Sequence, residues 1–246
     1  GTYQALLHAL RRVDVDLGDR LRRSLQAHGD GVEAEQDLFA HASMVAGRPG
    51  AGGPIGYDPR RPKHRPAPEP RPMQVICLDL EGVLVPEIWI EFSKRSGIAE
   101  LSRTTRDEPD YDKLMRFRIE TLEKHGLKLA DIQDVIAGMS PMEGAREFLD
   151  ELRTRFQVMI LSDTFYEFAQ PLMRQLAWPT LLCHKLEVDE RGFVRRHVLR
   201  MPDPKRHAVN ALRGLNFQVI AAGDSYNDTG MLQAAHAGFF IHTPES

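Results

Sequence analysis

The sequence predicts an α/β fold, a doubly wound parallel sheet with a small helical cap inserted after its first strand. Three observations carry that expectation. Apolar runs stop on an acidic residue three times, at Asp79, at Ser162-Asp163 and at Asp224. Segments of helical periodicity separate the runs, the alternation that covers a parallel sheet on both faces. A further stretch with helical spacing, residues 86–140, lies directly behind the first acids, where it would roof whatever gathers at the strand ends.

The first strand is read in Val75 to Leu78, from which the chain emerges at Asp79-Leu80-Glu81-Gly82. Ile88 to Phe92 open the cap, Tyr111 to His125 continue it until Gly126, and Leu129, Ile132, Val135 and Met139 recur at helical intervals. Ser140-Pro141-Met142-Glu143 has the form of a capping box with proline at the first helical position. It is expected to open a helix whose inner face is Ala145, Phe148, Leu149 and Leu152. "FQVMILSDT" supplies the second strand, Asp203-Pro204 starts a helix at Lys205, "FQVIAAGDSYND" supplies the third strand, and "AGFFIHTPES" reads as a last strand and turn. Ligands of open parallel sheets collect outside the carboxyl ends of the strands, so the acid-bearing ends are expected to meet.

Composition narrows the function classes. At 246 residues and 42% hydrophobic content the chain can bury a real core. Its net charge of −3 divides into +2 over residues 1–72 and −5 over residues 73–246. No broad positive face is left for a phosphate backbone, so nucleic acid is not an expected partner. Cys77 and Cys183 sit in apolar contexts without metal-ligand spacing and read as buried free thiols, which suits a reducing cytosol. No apolar run reaches the length of a membrane span and the N-terminus shows no apolar signal core, so no membrane association and a cytoplasmic location are expected.

Composition also shifts near residue 72. Residues 1–72 hold ten Arg and a single Lys, Lys63, and residues 46–72 are rich in Pro, Gly and Arg, the make-up of a linker or disordered segment. Before it, Leu10, Leu17, Leu21 and Leu25 could line one helix face, and Leu38, Phe39, Ala42 and Val45 a second. The expected division is an N-terminal extension of unknown role over 1–72, dispensable for catalysis, a core over 73–85 and 141–246, and a helical cap over 86–140. A start placed upstream, or a fusion joint, would account for the shift just ahead of Met73.

"DLEGVL", "ILSDT", Lys205 in "DPKR", and "GDSYND" stand in an order and spacing that resembles the haloacid dehalogenase superfamily of phosphotransferases. "CLDLEGVLVPEIW", "SDTFYEF", "PTLLCHKLE" and "AAGDSYNDT" are similar to its phosphoserine phosphatase branch, in particular to the bacterial phosphoserine/homoserine phosphotransferases. The resemblance covers residues 73–246 and says nothing about 1–72. It implies a haloacid dehalogenase-like, Rossmannoid core and Mg²⁺-dependent hydrolysis of O-phospho-L-serine through an aspartyl-phosphate, within serine and threonine biosynthesis. Homoserine is implied as a second acceptor beside water. It also implies a further helix and edge strand beyond Ser246, and it leaves a homodimer open. By the same resemblance Glu87 and Arg118, in "MRFRIE", bind the amino and carboxylate groups of the substrate, and Asn227 joins the substrate-binding set.

The residue types suit that chemistry. A carboxylate can attack phosphorus and be regenerated by water, dividing one hard displacement into two easier ones, and Asp79 is the candidate nucleophile. Glu81 is placed to protonate the leaving oxygen and later deprotonate the acceptor. Glu stands there where the superfamily's phosphatases usually have Asp, which moves the carboxyl outward by a methylene. Phosphoryl transfer otherwise needs positioning and charge neutralisation. Asp224, with Asp79 and the backbone carbonyl of Glu81, offers hard oxygens to Mg²⁺, and Asp228 can orient the metal's waters or Lys205. Ser162 offers its hydroxyl and Asp163 its backbone N–H to the phosphoryl oxygens, Lys205 offsets the nucleophile's charge, and Gly82 permits a close backbone approach. A guanidinium such as Arg118 can grip a carboxylate with two parallel hydrogen bonds, while Glu87 can pair with an ammonium. Without the resemblance, Arg116 and Arg118 read equally as solvated helix residues. His184 and His207 lack ligand spacing and read as structural. Two rivals stay open: a phosphatase for another small phosphate ester, and a catalytically silent binding protein. The presence of Asp79, Asp224 and Lys205 weighs against silence.

Overall fold

Every residue of the first apolar run, Val75 to Leu78, is buried, and the run forms the centre of the sheet. The computed structural model describes residues 2–10 and 73–241. The helix faces expected from Leu17 to Val45, the Pro/Gly/Arg-rich stretch and the turn after Ile241 lie outside the described residues. The chain divides into two compact units, one comprising Gly1–Ala9 and Pro72–Ser246, the other Leu10–Arg71.

The elements run α1 (residues 2–10), β1 (Gln74–Leu78), α2 (Ile88–Ser96), α3 (Tyr111–Lys124), α4 (Leu129–Ala137), α5 (Ala145–Arg153), β2 (Gln157–Phe165), α6 (Tyr166–Gln175), β3 (Thr180–Val188), β4 (Val194–Val198), α7 (Pro204–Gly214), β5 (Gln218–Gly223), α8 (Thr229–Ala234) and β6 (Ala237–Phe240). The strands lie in the order β4-β3-β2-β1-β5-β6. All neighbours are parallel except β3 and β4, which form an antiparallel hairpin at one edge. Val75 and Cys77 of β1 share one face with Val219 and Ala221 of β5, against Ala208 and Val209 of α7 and Met231 and Leu232 of α8. Helices α5 and α6 pack on β2.

Two details depart from the sequence reading. Helix α5 starts at Ala145, not at Pro141, because the Met142 N–H is drawn off to the Leu84 carbonyl (2.9 Å) and Gly144 turns the chain through a left-handed φ of 77°. Its expected inner face is nevertheless buried at Ala145, Phe148, Leu149 and Leu152. The hairpin β3–β4 was not read as strands at all. In α1 the Tyr3 ring stacks on Phe148 with centroids 4.6 Å apart, and its hydroxyl donates to the Val83 carbonyl at 2.6 Å.

Helices α2, α3 and α4, with a 3-10 turn at Ala99–Ser102, occupy the segment between Val85 and α5. Asp110 caps α3 by accepting the Lys113 N–H, α3 packs on β4, and α4 packs on α6. In β2 the pairing slips: Leu161 faces Leu182 but Phe165 faces His184, so four steps on β2 oppose two on β3. The surplus residues, Ser162 to Thr164, leave the regular ladder, which is how a bulge re-aims side chains.

Candidate active site

Asp79 is the first residue past β1. Its backbone N–H donates to the Ala222 carbonyl of β5 at 2.9 Å, and its Oδ1 accepts the Leu80 N–H at 2.7 Å, so the carboxyl is fixed where the two strands end. Pro204 begins α7 after Asp203, and this start sends Lys205 inward until only 4% of its side chain is exposed. Its Nζ lies 2.8 Å from Asp228 Oδ1, 3.0 Å from Asp79 Oδ2 and 3.3 Å from Asp163 Oδ2. The other Asp228 oxygen accepts the backbone N–H groups of Asp224 (3.0 Å) and Ser225 (3.1 Å), which sets the turn that carries Asp224. The sheet thus gathers Asp79, Asp163, Lys205 and Asp228 around one ammonium.

One cation faces several carboxylates, and the proton affinities follow. Burial pushes Asp79 well above the usual carboxylate range, with Asp228 and Asp163 adding to the rise and Lys205 opposing it. Burial also raises Asp224, to about 6, helped by Asp228 and Glu87. Burial acts against charge on Lys205, but Asp79, Asp163 and Asp228 outweigh it and hold the amine protonated. Burial would raise Asp163, yet Lys205 and His184 outweigh it and bring that carboxyl down to about 2.

Asp79, Asp224 and Asp228 each offer a carboxylate oxygen, all within 4.8 Å of one another. A surplus of negative charge on hard oxygens fits a small divalent cation. Asp228 already has both oxygens engaged, which leaves Asp79 and Asp224 as its better carboxylate donors. Gly82, at φ 72°, closes this corner: a Cβ there would lie 2.1 Å from Asp224 Oδ2. The close approach expected of this glycine is therefore to a side chain of the acid cluster.

Glu81 turns toward α2. Its longer side chain reaches the start of α2, where Oε2 accepts the Ile88 N–H at 2.9 Å, and it also bonds Thr164 and Glu87. Burial and the neighbouring Glu87 raise its carboxyl to about 8, so it is mainly protonated at neutral pH. Glu87 itself is exposed. Arg118, on α3, is only 6% exposed. Its guanidinium lies 4.5 Å from the Trp89 ring centroid, and Nη2 donates to the Arg103 carbonyl at 2.6 Å. Burial lowers it to about 10 against the pull of Glu81, Tyr111 and Glu87. Among the described residues, its Nε is the buried side-chain nitrogen without a hydrogen-bond partner. Ser162 is buried and its hydroxyl accepts the Thr164 N–H at 3.2 Å. Asn227 is exposed in the 3-10 turn Tyr226–Asp228.

Several neighbours of the site escaped the sequence reading. His184, on β3, places Nε2 3.7 Å from Asp163 Oδ1 while Nδ1 accepts the Arg200 N–H at 3.0 Å. Tyr111 donates to the Asp163 carbonyl at 3.3 Å, joining α3 to the bulge. Thr164 reaches Glu81, and Trp89 lies under Arg118. Thr164, Trp89 and His184 all fall inside the stretches that carry the family resemblance, which was the one signal that could have marked them.

A family model of haloacid dehalogenase-like hydrolases matches residues 73–236. Phosphoserine phosphatase ThrH of Pseudomonas aeruginosa is 64% identical over 174 residues, which cover 71% of this chain and 85% of that protein. A phosphoserine phosphatase of Pseudomonas syringae pv. tomato is 61% identical over 174 residues, 71% of this chain and 73% of that protein. Among solved structures, a phospho-aspartyl intermediate analogue of phosphoserine phosphatase superposes with a TM-score of 0.58 at 17% identity, covering 68% of this chain and 86% of that one. Phosphoserine phosphatase from T. onnurineus gives 0.54 at 22% identity, covering 68% and 83%. At such identities these superpositions speak to the fold alone.

Proposed function

The chain belongs to the haloacid dehalogenase-like hydrolase family, and from that premise we propose that it is a Mg²⁺-dependent phosphoserine phosphatase acting through an aspartyl-phosphate on Asp79, with homoserine as a second acceptor. The observation that carries the reading is the buried Asp79 carboxyl held 3.0 Å from Lys205 beside Asp224, two residues before Glu81, whose carboxyl accepts the Ile88 N–H at the start of α2. The two Pseudomonas relatives support the choice of substrate.

In this mechanism an Asp79 oxygen attacks phosphorus, the ester P–O bond breaks, and the departing serine oxygen takes the Glu81 proton. Glu81, now a carboxylate, removes a proton from water or from the homoserine hydroxyl. That oxygen attacks the phosphoryl group, the bond to Asp79 breaks, and both carboxyls return to their starting state. Lys205 offsets negative charge on Asp79, and Asp228 keeps Lys205 in place. The Ser162 hydroxyl and Asp163 N–H serve the phosphoryl oxygens, with Asn227 at the exposed side. Mg²⁺, bound by Asp79, Asp224 and the Glu81 carbonyl, would neutralise charge on the phosphoryl oxygens. Arg118 takes the substrate carboxylate and Glu87 its ammonium. A homoserine held by those two groups gains the advantage of a positioned nucleophile over free water. Cys77 and Cys183 are free and buried, in keeping with a cytoplasmic enzyme.

A panel of phosphate esters assayed with and without Mg²⁺ tests the reading. Mg²⁺-dependent phosphate release with preference for phosphoserine is expected, and a preference for another ester overturns the substrate. With homoserine added, phosphohomoserine is expected by mass spectrometry. Serine and phosphate as sole products would leave a phosphatase without the transferase step.

A further inference from the structure

Among the described residues, the groups in contact with the buried Arg118 guanidinium are neutral. The Trp89 face lies 4.5 Å from its guanidinium carbon, the Arg103 carbonyl accepts from Nη2 at 2.6 Å, and Met115 Sδ lies 3.7 Å from Nη1. It forms no ion pair with a carboxylate among the described residues, although Glu81 and Glu87 act on it from a distance. A carboxylate in direct contact would hold the guanidinium equally well but would cancel its charge. An aromatic face attracts the cation through the ring quadrupole and leaves that charge uncancelled.

Trp89 is itself fixed. It packs edge-on against Phe92 of its own helix (centroids 6.4 Å apart) and against Phe168 of α6 (5.3 Å), so the platform under the α3 arginine is anchored in the core. We propose that Trp89 is a positioning residue that sets the preference for carboxylate-bearing phosphate esters, by presenting Arg118 to the substrate without neutralising it. The inference rests on the reading of Arg118 as the partner of the substrate carboxylate. Trp89 touches neither the phosphoryl group nor the acids around Lys205 in this scheme, so its effect belongs to binding.

The test compares phosphoserine with phosphoethanolamine, which keeps the amine and phosphate and lacks the carboxylate. Loss of a cation–π contact of about 0.5–2 kcal/mol corresponds to a change in binding of about two- to thirty-fold. In Trp89→Leu the KM for phosphoserine is expected to rise by that factor relative to the KM for phosphoethanolamine, and Trp89→Phe is expected to recover part of the loss. Incorporation of ring-fluorinated tryptophan in a Trp178→Phe background weakens the ring face with little change of shape. It is expected to shift the same KM ratio in the same direction, and it reads the effect even if the leucine variant does not fold. An unchanged ratio in the fluorinated protein, or equal loss on both esters in Trp89→Leu, overturns the inference while leaving the phosphoserine reading intact. A parent enzyme that shows no preference for phosphoserine over phosphoethanolamine overturns both.

Discussion

Asp79 and Glu81 are two residues apart and have been given opposite surroundings. Asp79 has Lys205 at 3.0 Å, while Glu81, among the described residues, has no cation in contact and lies beside Glu87. In the proposed mechanism the carboxyl facing the cation is the nucleophile and the one facing the start of α2 is the proton donor, a division of roles of the kind unequal surroundings support. Because the acid must be protonated, single-turnover formation of the phosphoenzyme is expected to fall as pH rises through about 8. Glu81→Gln should abolish that alkaline limb and slow the step by about 10²–10⁴-fold. Rapid-quench kinetics across neutral and alkaline pH checks both. At Gly82, the Cβ of Gly82→Ala would lie 2.1 Å from Asp224 Oδ2, and the backbone sits at φ 72°. The variant is expected to need about tenfold or more Mg²⁺ for half-maximal activity and to lose about 1–2 kcal/mol of stability, read by Mg²⁺ titration and denaturant unfolding. Asp79, Asp224 and Lys205 could be found in the sequence because each directly follows a strand or opens a helix. Trp89 and His184 could not be found from position in an element, since their meaning lies in contacts with α3 and with the β2 bulge; only the family-like stretches that contain them carried a signal.

The elements act by where they end. Strands β1 and β5 stop side by side, β2 breaks its register at Ser162 to Thr164, and α7 starts by turning Lys205 inward. Helices α2 and α3 contribute at their starts: the Ile88 N–H of α2 donates to Glu81, and α3 places Tyr111 on the bulge. Arg118→Ala removes the buried guanidinium of α3. Losing a charge-assisted hydrogen bond of about 1.5–3 kcal/mol should raise the KM for phosphoserine by about ten- to a hundred-fold, with much less change for phosphoethanolamine. Steady-state kinetics on the two esters reads the difference, and equal damage would mean that Arg118 supports the cap itself. Strands β1, β2 and β5 were legible as apolar runs, and β3 was passed over although Cys183 and Leu186 are buried in it. β4 was not legible, because "VRRHV" lies at the sheet edge with its arginines exposed, a pattern without apolar alternation. The true start of α5 was hidden for a related reason: the Met142 N–H, inside the first turn of the expected helix, is committed to Leu84, a contact across the chain.

At the scale of the molecule, the first helix belongs to the same compact unit as the sheet. A chain beginning at Met73 would lose the Tyr3 ring from Phe148 and the bond from Tyr3 to Val83. Those contacts are worth about 1–3 kcal/mol, so its Tm should fall by about 2–10 °C, while turnover per folded molecule should hold because neither partner touches the acids around Lys205. Calorimetry with a parallel rate measurement separates the two effects. The proposed mechanism passes the phosphoryl group through Asp79, and trapping the aspartyl-phosphate checks that step. The protein is mixed with phosphoserine and Mg²⁺, quenched in acid within one turnover, and examined by peptide mass spectrometry. One phosphoryl group is expected on the peptide containing Asp79, formed no more slowly than phosphate is released and missing in Asp79→Asn. Phosphate release without that adduct in the parent protein, or an adduct that persists in Asp79→Asn, would contradict it.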